Sequence, residues 1–178
     1  MGRAQNDPNA YLWLPSPTAR RQEELRQGDR ILATLKWEKW FSQAAYGAFP
    51  PHSAWMFDRP KWFSRDIEVR SADSNELVAV IHFRWTGTGE VELASGRKYG
   101  WTATNFWQTH WVLTDSADNA VIAFDNQSGL FKKRFAVSYG STSLPEIERA
   151  LLSVLGRYAL ALKEMDDAAV VAATASAG

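Results

Sequence analysis

Cysteine is absent from all 178 residues, which removes disulfides, thiolate nucleophiles and cysteine-ligated zinc from consideration. Histidine is scarce. His52, His82 and His110 match no metal-ligand spacing, even with Asp58 or Asp66 as a carboxylate partner, and read as ordinary packed or surface side chains. Neither sign of charge is in excess, since 20 basic residues balance 20 acidic ones. Composition therefore supplies no net field to recruit nucleic acid. No run of roughly 18 apolar residues occurs, and the N-terminus lacks the charged-then-apolar order of a secretory signal. The expectation is a cytoplasmic protein with no transmembrane segment and no nucleic-acid partner. Phosphate-binding glycine loops are missing too: Gly87-Thr88-Gly89 sits between strand-like segments and opens no helix. With no nucleophile elbow either, the chain reads as non-enzymatic, with no catalytic residue, metal site or cofactor implied.

What the chain has in excess is tryptophan, nine residues of it, and large rings suit pleated, half-buried strands. Residues 1–29 read as an extended N-terminal arm, punctuated by Pro8, Pro15 and Pro17. Tyr11, Trp13 and Leu14 dock the arm, and Thr18 to Gln27 is expected to be a short helix that ends at Gly28. From Arg30 the hydrophobic period changes to two. Strands are expected over 31–37, 41–49, 53–59, 62–70, 76–85, 90–94, 98–106, 110–114, 120–124 and 130–139, separated by polar turns of hairpin length. Turns this short leave no room for βαβ crossovers, so doubly wound folds are excluded.

A single long helix follows, over 143–163. Ser143, Pro145 and Glu146 form the pattern of a capping box. Apolar residues from Ile147 to Leu162 cover more than half of its circumference, leaving a narrow polar stripe of Arg149, Ser153 and Arg157. A helix so apolar must be wrapped, and only the preceding strands can wrap it. The predicted fold is mainly β with a C-terminal α-helix: an antiparallel barrel of about 10–12 strands threaded by that helix. The barrel domain spans 30–163, and 164–178 reads as a disordered Ala-rich tail. Gly156 is expected to admit a bulky wall residue, such as a tryptophan, close to the helix.

The hairpin series Gly96-Arg97-Lys98-Tyr99, Trp111-Val112-Leu113-Thr114-Asp115 and Val121-Ile122-Ala123-Phe124 leads to Leu144-Pro145-Glu146 and the helix. This layout resembles the tubby C-terminal-like superfamily, which includes the phospholipid scramblases and the LURP-one-related proteins, and it is similar to uncharacterised bacterial proteins with Trp-rich hairpins. The resemblance covers residues 30 to 163 and is architectural. It implies a barrel closed around an apolar terminal helix and a lipid-facing role. The chain lacks the cysteines that scramblases use for acylation and shows no match to the phosphoinositide-binding residues of tubby proteins, so no functional residue carries over.

The compact basic run Lys132-Lys133-Arg134, with Arg97 and Lys98, is the candidate patch for an anion or lipid headgroup. Its plainer reading is a solvated outer strand. Trp101, Trp107 and Trp111 suggest a sugar platform or, more simply, barrel core. Glu90 and Glu92 alternate with Val91 and Leu93 as a solvated strand face should, and Asp115 with Asp118 fits hairpin chemistry better than a calcium loop. The function expected is a non-catalytic binding or scaffold barrel that meets lipid headgroups or a protein partner with its outer surface. The alternative is a small-ligand or carbohydrate-binding β domain that uses surface tryptophans.

Overall fold

The computed structural model describes residues 9–39, 43–60, 64–84, 87–129 and 133–176. Among them are twelve strands, β1 (Tyr11–Pro15), β2 (Gln22–Gln27), β3 (Arg30–Trp37), β4 (Ala45–Phe49), β5 (Ser53–Asp58) and β6 (Asp66–Ser71), then β7 (Leu77–Phe83), β8 (Gly89–Leu93), β9 (Lys98–Ala103), β10 (His110–Thr114), β11 (Ala120–Asn126) and β12 (Phe135–Tyr139). One helix, α1 (Glu146–Ser176), follows. Each strand pairs with its neighbours in the chain, and β1 pairs with β12 through Tyr11 opposite Val137 and Trp13 opposite Phe135. The sheet is a closed antiparallel barrel, so no strand edge is left open.

Alternation sets the inside. Leu35, Phe57, Ile67, Ile81, Val91 and Leu113 all point inward and are fully buried. They pack on Leu152, Val154, Leu155 and Tyr158 of α1 in one continuous core. A helix with its side chains is about 10–12 Å across, and a barrel of this size leaves room for one.

Three expectations are corrected by the barrel. The segment 1–29 is not simply an arm, because β1 and β2 lie within it and complete the wall. Thr18 to Gln27 holds no helix: residues 22–27 form β2, whose Glu23 and Glu24 are buried. The tail does not end the helix at Lys163, since α1 continues to Ser176. The start of α1 also differs. The Pro145 carbonyl accepts the Arg149 N–H at 2.9 Å, so Pro145 is the N-cap and Ser143 lies before the capping position. Four expected strands reach into 41–42, 62–63, 85 and 130–132, which lie outside the described residues.

Two members of the polar stripe face the wall, while Arg149 is exposed. Ser153 and Arg157 are fully buried, with the Ser153 hydroxyl 3.1 Å from the Tyr139 hydroxyl. The residue admitted by Gly156 is Phe124, not a tryptophan. A Cβ at Gly156 would lie 2.3 Å from Phe124 Cζ and 2.6 Å from Cε2, and that ring is fully buried and edge-on to Trp101. Alanine is the better helix former by about 1 kcal/mol, yet Gly156→Ala is expected to cost a net ~1–3 kcal/mol by overpacking. Urea denaturation measures it; a variant as stable as the parent would mean that the Phe124 ring gives way freely.

Candidate functional site

An antiparallel meander sorts its connections by parity. The loops after even-numbered strands (28–29, 50–52, 72–76, 94–97 and 115–119), together with 140–145, surround the start of α1 and form an upper rim. The described residues of the loops after odd-numbered strands (16–21, 38–39, 43–44, 59–60, 64–65, 84, 87–88, 104–109, 127–129 and 133–134) form the lower rim, where α1 emerges. Among the described residues the upper loops carry Asp29, Asp73, Glu76, Asp115 and Asp118 against Arg97. The lower loops carry Arg20, Arg21, Lys39, Arg59, Arg65, Arg84, Lys133 and Arg134 against Glu38. The loops of the two ends thus differ in charge, although α1 brings Glu164, Asp166 and Asp167 to the lower one, where they line its clefts.

The lower rim also presents two large rings to water. Phe106 is 89% exposed and Trp107 is 79% exposed, packed edge to face with centroids 5.4 Å apart. Their loop is braced. The Asn105 carboxamide oxygen accepts the Thr109 and His110 N–H groups at 2.9 and 3.2 Å, and its nitrogen donates to Thr109 Oγ1 at 2.7 Å. The Trp111 indole N–H donates to the Gln108 carbonyl at 2.8 Å. The rings are therefore held outward by a defined turn.

Two clefts flank α1 where it leaves the barrel. One, of about 520 Å³, is lined by Arg59, Arg65, Arg84 and Lys163, by Asp166 and Asp167, and by Trp101 and Trp111. The other, of about 540 Å³, lies between the 16–21 loop, Trp37 and the Ala161, Met165 and Ala168 side of α1. Beside the second cleft is an ion-pair cluster. Arg157, fully buried, donates to Glu23 through Nε at 2.5 Å and Nη2 at 2.8 Å, and through Nη2 to Glu164 at 3.3 Å. Lys133 Nζ lies 3.2 Å from Glu23 and 2.6 Å from Glu164, and the guanidinium carbon stands 4.3 Å from the Phe135 ring centroid. Burial opposes ionisation of Glu23, but the charge and hydrogen bonds of Arg157, with help from Lys133, outweigh it and hold the carboxyl below its ordinary range.

The expected headgroup patch does not assemble as one surface. Lys132 lies outside the described residues. Lys133 and Arg134 belong to the lower rim, while Arg97 and Lys98 lie at the upper one. Arg97 donates to Glu148 at 2.7 Å, and Lys98 bridges Glu90 and Glu92 at 2.9 and 3.1 Å. Lys133 reaches Glu164, about 24 Å further along α1 than Glu148 at 1.5 Å per residue. Beside Arg97, the Tyr99 hydroxyl donates to Glu148; burial and that carboxylate push its pKa up to about 12.

The tryptophan trio also divides. Trp101 and Trp111 are buried and stacked with centroids 5.1 Å apart, and Trp107 stands alone with Phe106. His82 lies 3.2 Å from Asp66 and His110 3.7 Å from Asp125, while His52 packs on Phe49. Among the described residues no group of three or more His, Asp or Glu is placed to hold a metal ion. Asp115 accepts the Ala117 and Asn119 N–H groups, both at 2.9 Å, which is turn chemistry.

The parity of the loops was the missed signal. Most Arg and Lys of the connections fall in every second one, and the tetrapeptide Lys-Trp-Phe-Ser occurs at both 39–42 and 61–64.

The fold is a closed 12-stranded antiparallel barrel threaded by its C-terminal helix, with the basic loops and the exposed Phe106–Trp107 pair at the rim where the helix emerges. Compared with protein-family models, with curated proteins and with solved structures, the chain shows no significant match.

Proposed function

We propose that the protein is a non-catalytic barrel that docks on an anionic lipid surface with its lower rim. The observation that carries the reading is the braced, exposed Phe106–Trp107 pair on the rim that also gathers the basic loops. Amphipathic rings suit the level of lipid headgroups, and each Lys or Arg held near an anionic surface adds about 1 kcal/mol. Among the described residues no helix is long and apolar enough to cross a membrane, and the contact proposed is peripheral. A cytoplasmic leaflet is the surface proposed, in keeping with a chain without cysteine. Kinship with the tubby-like barrels belongs to the same proposal, and its support is the shared architecture of a barrel threaded by a terminal helix.

Flotation with vesicles of phosphatidylcholine alone, or with added phosphatidylserine, tests the reading. Association is expected only with the anionic vesicles at low salt, to fade as salt screens the charges, and to fall roughly tenfold, about 1.4 kcal/mol, in Phe106→Ser/Trp107→Ser. Absence of the parent protein from anionic vesicles at low salt overturns it and turns attention to a protein partner for the same rim.

A further inference from the structure

We propose that the second lower-rim cleft is a binding site for a free amphipathic carboxylate of the medium-chain fatty-acid type. The cleft's volume of about 540 Å³ lies within the range of small-ligand sites, roughly 300–1,000 Å³. Trp37, Ala161, Met165 and Ala168 give it an apolar side, and the last three lie on one face of α1. Trp37 is only 7% exposed, and its indole N–H has no hydrogen-bond partner. A buried indole N–H normally finds one; this one has essentially no exposed surface, so it is an unpaired donor within the wall of the cleft rather than on its open face.

Charge completes the argument. The two carboxylates on the cleft, Glu23 and Glu164, are already engaged by Arg157 and Lys133. Arg20, Arg21 and Lys39 line the same cleft, are exposed, and form no ion pair with any described residue. The cleft therefore offers uncommitted positive charge next to apolar surface, which fits a carboxylate joined to a hydrocarbon chain. A short anion would leave the apolar side wet, and a neutral amphiphile would leave the cations unused. Arg21 adds a further sign of a built site. Its backbone is left-handed, with φ 59°, a conformation non-glycine residues rarely adopt, and its carbonyl accepts the Trp37 backbone N–H at 3.0 Å. Such conformations cluster where a loop is held for a ligand.

The proposal is independent of membrane docking and is tested without vesicles, by calorimetric titration of the full chain with sodium decanoate below its micellar concentration. Saturable binding is expected. The exposed double variant Arg20→Gln/Lys39→Gln is expected to bind roughly tenfold more weakly or worse. Butyrate, which lacks the chain, and decanol, which lacks the charge, should each show at least a similar loss. In the parent protein the Trp37 indole N–H and Met165 methyl resonances should shift on titration. Phe106→Ser/Trp107→Ser should bind decanoate as the parent does, so that failure of docking and failure of the cleft are read separately. No saturable decanoate binding, equal affinity in the Arg20/Lys39 variant, equal affinity for butyrate or decanol, or resonance shifts confined to other residues would each overturn the proposal.

Discussion

A chain carrying Leu155→Asp is expected to show no cooperative thermal transition. Leu155 is fully buried near the middle of the threaded part of α1, between Val154 and Tyr158 and inside the closed wall. The substitution forfeits about 1.5–3 kcal/mol of apolar burial and adds an unpaired carboxylate, whose burial costs several kcal/mol more. Together these approach or exceed the net stability of a typical domain, roughly 5–15 kcal/mol. Truncation at Gly140 should have the same outcome by a different route. It leaves the inward-facing side chains of twelve strands around a space that only α1 fills. Scanning calorimetry with near-UV circular dichroism checks both. A truncated chain that still melts cooperatively would mean that the wall holds without its filler.

Removal of the Arg157 guanidinium should be the next most costly change. Arg157→Ala leaves Glu23 buried against Lys133 alone, and breaking a buried pair from one side costs about 3–5 kcal/mol. Because Lys133 stays 3.2 Å away, the expected loss is near the lower bound, about 3 kcal/mol. Replacing both charges, in Arg157→Met/Glu23→Leu, should recover most of it and let Lys133 pair with Glu164 undisturbed. The same pair predicts a pH dependence. The Glu23 carboxyl is held below its ordinary value of 4.5 in the folded state, so the unfolded chain takes up the proton first on acidification. Its contribution is present above about pH 4.5 and is lost as the pH falls through the lower, folded-state value. Urea midpoints measured from pH 7 to pH 3 should fall less steeply in Glu23→Gln than in the parent. Parallel slopes would show that Glu23 is not the group responsible.

How legible the barrel was depends on the residue. Strands β3 and β10 are plain in the sequence because apolar and polar residues alternate, or run continuously, over a turn-bounded stretch. The segment Gln22-Glu23-Glu24-Leu25-Arg26-Gln27 carries no such pattern. Its carboxylates are buried because Glu23 meets Arg157, 134 positions later, and Glu24 meets Arg26 at 2.6 Å. Helix-favouring composition was overridden by a tertiary partner that no local window contains. The rest of α1 misled in the opposite sense. Beyond Lys163 it has few groups to bury, yet a helix already nucleated and held inside the barrel propagates at little further cost.

The site followed the same division. The basic run at 132–134 was visible as a run, and its association with Arg97 and Lys98 came from composition alone. Meander geometry sends Lys133 and Arg134 to the opposite rim from Arg97 and Lys98, because successive hairpins alternate ends. The same geometry gathers Arg20, Lys39, Arg59 and Arg84, each inconspicuous where it stands in the chain, onto a single rim with Phe106 and Trp107.

The sequence by itself determined that this protein is a cysteine-free, tryptophan-rich antiparallel barrel with its own C-terminal helix as core. Those properties reside in periodicity, turn chemistry and the apolar circumference of one segment, all of them local. Only the tertiary structure decided how the barrel closes, that Arg157 of α1 meets Glu23 of β2, and that Phe124 occupies the space left at Gly156. It alone gathered the basic loop residues Arg20, Lys39, Arg59 and Arg84 at one end of a chain whose twenty positive and twenty negative charges cancel. A net charge sums over residues without their positions, whereas the field a partner meets is set by where the fold places them.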